Sequence, residues 1–240
     1  MARPRILPEI FVQRERPPGP ARGPEAILTR RDTIQAVIFD IGRVLVDVDE
    51  AAGFYGLLRR EGVPGAERWL DRVERAPLLR ELGLGRATGP DLHVAVREDT
   101  GLDLGYAEFE SLWCDVLRSL PHGEPLLRAV AETCRVGLLS NTNALHWRHM
   151  RVRFPWLRAV RCPTLSFEVG RLKPDPEIYR IAARDVEAPP ERCLFVDDLA
   201  ANVEGARTVG MQALQFTGVD AITAALRERG VLSGELGLPA

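Results

Sequence analysis

Short apolar runs alternate with helical patterns along most of the chain. The run at residues 34–39 is rich in β-branched side chains and ends at Asp40, as is typical of a strand buried on both faces. Similar runs follow at residues 135–139, 193–196 and 212–216. Helical patterns lie between the runs, at residues 124–133, 176–185 and 202–209. The alternation predicts an α/β fold in which helices wrap a mostly parallel sheet.

Polar residues stand where the predicted strands end. Asp40 ends the first run, Ser140 ends the second, and the acidic pair Asp197 and Asp198 ends the third. In parallel sheets the ligand site lies in the crevice beyond the carboxyl ends of the strands. We therefore expect these distant residues to converge at one edge of the sheet.

Two segments depart from the alternating pattern. Residues 50–120 show helical stripes such as Phe54, Leu57 and Leu58, which predict a helical insert. Within it, Thr88 precedes Asp91 and an apolar run, and this pattern indicates a helix N-terminus. Residues 1–33 hold six of the 18 prolines, a density that predicts a disordered or loosely ordered extension. Residues 34–49 and 121–240 then form the core.

Composition and charge indicate an ordinary globular protein. The chain of 240 residues is 45% hydrophobic, which suffices for a buried core and a small insert. A net charge of −2 gives no field that would attract nucleic acid or an anionic membrane, so a small-molecule partner is expected. No apolar run approaches the roughly 20 residues of a membrane span, and the start lacks a secretory signal. We predict a cytoplasmic protein, either a monomer or a homodimer.

The acidic residues at the strand ends predict a metal site. Asp40, Asp197 and Asp198 would repel one another in a shared crevice unless a cation lay among them. A hard divalent ion with oxygen ligands, Mg²⁺, fits such a cluster. The alternative for Asp40 alone is a structural role, in which it caps the loop that follows the strand. The four cysteines have no CxxC spacing, which argues against a zinc site.

A polar loop follows the second predicted strand. Ser140, Asn141, Thr142 and Asn143 supply hydroxyls, amides and backbone N–H groups just before a helix, an arrangement suited to binding phosphate. Turns of this composition are also common loops without any ligand. The loop alone therefore leaves both interpretations open.

Lys173 is the single lysine of the chain. The other 31 of the 32 basic residues are arginines. Its isolation, just before Pro174, indicates a place where a compact ammonium is needed and a planar guanidinium does not serve. The alternative is that one lysine has simply persisted by drift. We predict a functional lysine.

These features occur in an order that resembles the four motifs of the haloacid dehalogenase superfamily. The motifs are an aspartate that ends the first strand, a Ser or Thr that ends a later one, a lysine before proline, and an acidic pair. The resemblance spans residues 35–219 and is most specific at 170–179 and 195–206. The first two motifs look like those of bacterial phosphatases acting on glucose 1-phosphate. The acidic motif is similar to that of the phosphatase domain of soluble epoxide hydrolase.

The resemblance implies a fold and a reaction. The fold would be a three-layer Rossmann-like core with a small helical cap, residues 50–120, inserted after the first strand. Asp40 would be the nucleophile that forms an aspartyl-phosphate from a small phosphorylated metabolite, with a sugar phosphate as one candidate. Mg²⁺ would be held by Asp40, Gly42 and Asp198, with Asp197 and Asn202 supporting it from outside.

The remaining site residues follow from the same resemblance. Ser140 and Lys173 join Asp40 as catalytic residues, because they would bind and neutralise the transferring phosphoryl group. The residues expected to bind substrate are Gly42, Arg43, Asn141, Thr142 and Asn143.

The sequence departs from the family at Gly42. Most phosphatases of the superfamily carry a second aspartate there as general acid and base, a contribution of ~10²–10⁴ in rate. The relatives similar to glucose-1-phosphate phosphatases share the glycine, and Asp47 or His93 are candidates to replace the acid. Two alternatives to the phosphatase remain: a metal-independent 2-haloacid dehalogenase, and a catalytically weak regulatory protein with the same fold.

Overall fold

The computed structural model describes residues 33–49, 51–63 and 77–237. The predicted N-terminal extension lies outside these ranges except for its last residue. The strands are β1 (Ala36–Phe39), β2 (Val46–Val48), β3 (Leu117–Ser119), β4 (Arg135–Ser140), β5 (Thr164–Leu165), β6 (Cys193–Asp197) and β7 (Gln212–Gln215).

Helices separate most of the strands. They are α1 (Gly53–Arg60), α2 (Pro77–Gly83), α3 (Gly89–Thr100), α4 (Tyr106–Cys114), α5 (Gly123–Ala131), α6 (Ala144–Arg153), α7 (Ser166–Val169), α8 (Pro176–Asp185), α9 (Ala200–Arg207) and α10 (Val219–Glu228). Within the described residues, none of them is long and apolar enough to cross a membrane.

A five-stranded sheet in the order β5-β4-β1-β6-β7 forms the centre, and every pairing in it is parallel. All four strands predicted from apolar runs belong to this sheet, so the predicted α/β class is confirmed. Strand β5 was not predicted because its two residues, Thr164 and Leu165, are too few to form a run.

The sheet is covered by helices on both faces. In β1, Val37 and Phe39 point into one apolar cluster, which α5, α6 and α10 complete. Ala36 and Ile38 alternate with them and point into a second cluster, formed with α8 and α9. All four side chains are fully buried. This double burial explains the unbroken apolar run and gives the three layers that were predicted.

The register of β1 places the first predicted aspartate beside another acidic residue. Phe39 lies opposite Leu138 of β4 and Val196 of β6. One residue further along, the backbone N–H of Asp40 donates to the carbonyl of Val196 at 2.8 Å. Asp40 therefore lies level with the end of β6, where Asp197 stands.

A helical segment runs from α1 to α4 between strands β2 and β3. Its own apolar cluster includes Phe54, Leu58, Phe109 and Trp113, and Leu145 of α6 joins that cluster. Strands β2 and β3 form a separate antiparallel ribbon that was not predicted, so the last residues of the predicted insert are a strand. The division into a core and a cap at residues 50–120 stays a prediction.

The predicted start of a helix at Thr88 is confirmed. The Thr88 side chain accepts from the backbone N–H of Asp91, and the Asp91 carboxylate accepts from the backbone N–H of Thr88 at 2.8 Å. Pro90 occupies the first turn, where its missing N–H costs nothing. This reciprocal capping fixes the beginning of α3.

We predict that Thr88→Ala lowers the free energy of unfolding by about 1 kcal/mol, because the N-terminal N–H groups of α3 lose their acceptor. Urea denaturation of the variant measures this change. Thr88→Ser, which keeps the hydroxyl, should unfold with the same midpoint as the wild type. Equal stability of Thr88→Ala and Thr88→Ser would contradict the capping role.

Candidate active site

Lys173 is the buried centre of the strand-end cluster. Its side chain is 1% exposed, and its ammonium lies 2.8 Å from Oδ1 of Asp40 and 2.6 Å from Oδ2 of Asp197. The same ammonium donates to the carbonyl of Leu139 at 3.0 Å. An ammonium has three N–H groups, so each has an acceptor within the protein. The single lysine of the sequence therefore lies beside Asp40, and its catalytic role stays a prediction.

Asp197 is wholly enclosed by donors. Its side chain is 0% exposed, and besides Lys173 it accepts from Nδ2 of Asn202 at 3.0 and 3.1 Å. The backbone N–H of Leu199 donates to Oδ1 at 2.8 Å. Because these bonds occupy both of its oxygens, Asp197 fixes the positions of Lys173, Asn202 and the backbone of Leu199. Asp197 and Asn202 thus lie together at the strand-end edge, and their support of a metal ion stays a prediction.

Burial and charge shift the ionisation of the cluster. Burial raises the pKa of Asp40, the Lys173 ammonium partly opposes that shift, and the Asp197 carboxylate adds to it. For Lys173, burial acts to lower the pKa, but the charges of Asp40 and Asp197 outweigh burial and raise it. Lys173 therefore stays cationic at neutral pH.

Three carboxylates converge at this edge of the sheet. Among the described residues, Asp40, Asp197 and Asp198 form the one group of acidic, histidine or cysteine side chains whose ligand atoms approach closely enough for a metal, within 4.8 Å of one another. Burial is the main cause that raises the pKa of the Asp198 carboxyl, and the charge of Asp197 raises it further. Three carboxylates and one ammonium leave an excess of negative charge, which a divalent cation would neutralise.

The polar loop after β4 is tied to neighbouring segments. The side-chain amide of Asn141 donates to the carbonyl of Lys173 at 3.0 Å and accepts from its N–H at 2.8 Å. The backbone N–H of Thr142 donates to Oγ of Ser166 at 3.0 Å, and that hydroxyl donates back to the Thr142 carbonyl at 3.0 Å. Asn143 caps α6 by accepting from the N–H of His146 at 3.0 Å.

The residues that make these bonds include three that the sequence predicts to bind substrate. The structure brings Asn141, Thr142 and Asn143 to the strand-end edge, but each has a polar group engaged in holding the loop. Ser140 ends β4 with 5% of its surface exposed. Contact of any of them with phosphate stays a prediction.

Gly42 and Arg43 lie in the turn between Asp40 and β2. Gly42 forms a bridge with Val46. Arg43 is exposed, has a left-handed backbone with φ of 59°, and its charge acts to lower the pKa of Asp198. Arg43 thus lies near the acidic cluster, whereas coordination of a metal by the Gly42 carbonyl stays a prediction.

His93 and Asp47 are the candidates to replace the general acid that is missing at Gly42, and their contacts lie outside the acidic cluster. The ring of His93 packs against Tyr106 and Phe109, and its Nε2 lies 2.7 Å from the carbonyl of Leu104. Asp47 is exposed on β2, opposite Arg118 of β3. The contacts of His93 are those of a packing residue.

Sequence reasoning missed two supporting residues, Ser166 and Tyr179. Tyr179 lies on the buried face of α8, and its hydroxyl donates to the carbonyl of Asn202 at 2.8 Å. In the sequence Tyr179 falls within the helical pattern at residues 176–185, which gives no partner for its hydroxyl. Ser166 offered no signal, because its partner Thr142 lies 24 residues earlier in the chain.

Comparison with known proteins identifies the family of this site. A family model for haloacid dehalogenase-like hydrolases matches residues 24–210. A D-ribitol-5-phosphate phosphatase of Bacteroides thetaiotaomicron is 25% identical over 197 residues, which cover 76% of this chain and 91% of that protein. A phosphatase of Mycobacterium tuberculosis is 30% identical over 203 residues, which cover 75% of this chain and 86% of that one.

Solved structures support the same assignment at the level of the fold. A haloacid dehalogenase family enzyme of Bacteroides thetaiotaomicron, crystallised with magnesium and inorganic phosphate, superposes with a TM-score of 0.68 at 23% identity. The match covers 76% of this chain and 93% of that enzyme. The predicted superfamily is confirmed: the chain belongs to the haloacid dehalogenase-like hydrolases.

Proposed function

We propose that this hydrolase is a magnesium-dependent phosphatase that cleaves small phosphate monoesters through a phosphorylated Asp40. One observation carries the proposal: the Asp40 carboxylate lies at a strand end, bonded to a buried ammonium and close to two further carboxylates. Phosphate esters are dianions, and such a site can receive one only when positive charge balances its own. The named phosphatases of similar sequence support this reaction class.

The donor set fits Mg²⁺. One oxygen atom from each of the three carboxylates lies within 4.8 Å of the others, and carboxylate oxygens are the hard ligands that this ion prefers. Because protein donors occupy both oxygens of Asp197, Asp40 and Asp198 would hold the ion, together with the Gly42 carbonyl. When bound, the ion would supply the positive charge that lets a dianion approach Asp40. The structural relative crystallised with magnesium supports this cofactor.

Lys173 prepares Asp40 for attack. Its ammonium engages Oδ1 of Asp40 at 2.8 Å, which restricts rotation of the carboxylate and counters the effect of burial on its pKa. The other carboxylate oxygen, Oδ2, attacks phosphorus as the P–O bond to the alcohol breaks, and the departing alkoxide keeps the bond electrons and takes a proton from water. Water then hydrolyses the aspartyl-phosphate, which restores the carboxylate and releases inorganic phosphate.

Gly42 supplies no proton to the leaving alcohol. A Cβ added there would have its nearest neighbour, Cγ2 of Val48, at 4.0 Å, so a side chain at this position would meet no clash. General acid catalysis contributes about 10²–10⁴ in rate, and a slow or leaving-group-selective enzyme is therefore expected unless another group donates the proton.

The substrate is proposed to be a small phosphorylated sugar or polyol. The similarity to a D-ribitol-5-phosphate phosphatase supports this class. The helical segment from α1 to α4 would act as the cap that closes over the site and excludes water. A panel of sugar phosphates, polyol phosphates, nucleotides and phosphoglycolate, assayed with Mg²⁺, would identify the preferred ester.

A dehalogenase and a non-catalytic protein are the competing functions. A dehalogenase of this fold would attack carbon and would not need the acidic pair Asp197 and Asp198. Release of chloride from 2-chloropropionate, unchanged by EDTA, would establish it in place of the phosphatase. Binding of beryllofluoride at Asp40 without turnover of any ester in the panel would establish the non-catalytic alternative.

We predict that Asp40→Asn abolishes hydrolysis of 4-nitrophenyl phosphate and leaves the fold intact, because the amide has the same shape but is not a nucleophile. Release of 4-nitrophenol and the far-UV circular dichroism spectrum measure the two effects. Asp220→Asn, which alters an exposed carboxylate of α10, is the matched control and should keep the wild-type rate. A wild-type rate in Asp40→Asn would remove Asp40 from the mechanism.

We predict that Mg²⁺ raises the melting temperature of the wild type but not of Asp198→Asn. A ligand at about 100 times its Kd adds ~2.7 kcal/mol to the free energy of unfolding. Scanning calorimetry with Mg²⁺ or EDTA measures the shift. An equal Mg²⁺ shift in both proteins would contradict the assigned ligand.

Without metal, the stability of the wild type should also depend on pH. The pKa values of Asp40 and Asp198 are raised above the ordinary 3.8, so the folded state binds protons more tightly than the unfolded state. The free energy of unfolding should therefore fall as the pH rises above 3.8 through these raised values. Asp198→Asn should weaken that dependence.

We predict that Lys173→Arg lowers kcat by about 10²-fold, because the wider guanidinium cannot occupy the same buried position and displaces Asp40. Steady-state kinetics with 4-nitrophenyl phosphate measure the loss. Arg171→Lys, at an exposed position two residues earlier, controls for the exchange of side-chain type. A near-normal kcat in Lys173→Arg would show that any cation serves.

A further inference from the structure

We propose that Asn141 is a positioning residue for Lys173, and that its side-chain amide acts on the reaction through that lysine. This inference deepens the proposed function, on which its kinetic part rests. It begins from the two hydrogen bonds that join one side chain to both backbone groups of another residue.

The ammonium of Lys173 needs accurate placement. Its three acceptors lie at 2.6, 2.8 and 3.0 Å in different residues, and its side chain is almost fully buried. A displacement of about 1 Å would break at least one of these bonds, and misplacements of this size cost about 10²-fold in rate. Something must therefore fix the backbone from which the side chain extends.

The segment that carries Lys173 has no regular structure. It lies between α7 and α8, after the left-handed Gly170 and before the N-cap Asp175. Neither a helix nor a sheet ladder orients the peptide groups of Lys173. The turn has one bond of its own, from the N–H of Asp175 to the carbonyl of Leu172 at 2.9 Å, and it leaves the N–H and carbonyl of Lys173 to partners outside the segment.

Asn141 supplies those bonds. Its Oδ1 accepts from the Lys173 N–H at 2.8 Å and its Nδ2 donates to the Lys173 carbonyl at 3.0 Å, the pattern that a neighbouring strand would offer. A carboxamide can satisfy an N–H and a C=O together, whereas a carboxylate has no donor and a hydroxyl is too short. Because Asn141 follows the end of β4 directly, the sheet itself sets the position of Lys173.

The neighbouring asparagine provides a comparison. Asn143 belongs to the same loop, but its Oδ1 accepts from His146 and caps α6. Loss of Asn143 removes a helix cap, whereas loss of Asn141 frees the backbone of the lysine. The two substitutions therefore distinguish general loosening of the loop from release of Lys173.

Lys173 is the single lysine of the chain, so the rate at which an amine reagent modifies it reports how exposed its ammonium is. We expect acetylation by an N-hydroxysuccinimide ester, followed by peptide mass spectrometry of the full chain, to modify Lys173 slowly in the wild type. In Asn141→Ala the rate at Lys173 should rise by about tenfold or more, relative to the α-amino group, as burial is lost. Asn143→Ala should keep the slow rate. An unchanged rate in Asn141→Ala would overturn the proposal.

If Asn141→Ala unfolded the whole protein, Lys173 would also be acetylated faster. Asn141→Asp is therefore the second variant. It keeps the acceptor for the Lys173 N–H but places an oxygen against the Lys173 carbonyl. Circular dichroism identifies folded samples. Faster acetylation in folded Asn141→Asp supports the positioning role, and protection equal to the wild type contradicts it.

Kinetics separate positioning from binding of phosphate. Asn141→Ala should lower kcat by about 10²-fold in the wild type and by less than about threefold in Lys173→Arg, because coupled residues are not additive. Inhibition by inorganic phosphate should weaken no more in Asn141→Ala than it does in Lys173→Arg, because both variants act on the same ammonium. Equal losses of kcat in both backgrounds, or a further weakening of phosphate inhibition by about tenfold when Asn141→Ala is added to Lys173→Arg, would make Asn141 a direct ligand instead. The acetylation result stands even if no ester is hydrolysed, so the failures of the two proposals are distinguishable.

Discussion

The buried ion pairs between Lys173 and the carboxylates of Asp40 and Asp197 are the interaction on which the site depends. In the interior, an unpaired charge costs several kcal/mol, and the Lys173 ammonium offsets that cost for both carboxylates. The parallel register of β1 and β6 brings the two aspartates level, and the ammonium lies between them. The remaining excess of negative charge is what makes the edge of the sheet suitable for a divalent cation.

Hydrogen bonds from the surrounding residues hold this cluster in place. Asn202 and the N–H of Leu199 saturate Asp197, and the hydroxyl of Tyr179 in turn holds the Asn202 carbonyl. On the other side, Asn141 holds the backbone of Lys173. Residues in or next to β1, β4, β6, α8 and α9 therefore form or support the cluster, so positions far apart in the sequence converge there.

The parts of this structure that could be predicted are those with a local or periodic signal. The strand at Ala36–Phe39 is an apolar run because both its faces are buried, and the helix start at Thr88 depends on residues three positions apart. Strands β2, β3 and β5 have two or three residues each and leave no periodic trace. The tie between Thr142 and Ser166, like that between Asn141 and Lys173, depends on tertiary contact and could not be inferred from spacing.

Family membership narrows the chemistry to hydrolysis, and the structure brings Asp40, Lys173 and Asp198 together at one edge of the sheet. The central claim is that Asp40 attacks phosphorus. Rapid acid quench of the enzyme with Mg²⁺ and 4-nitrophenyl phosphate, followed by mass spectrometry of its peptides, tests this most directly. We expect a phosphoryl group on the peptide that contains Asp40, formed and lost at rates consistent with turnover. Steady hydrolysis with no phosphorylated peptide, or with the group on a residue other than Asp40, would contradict the account.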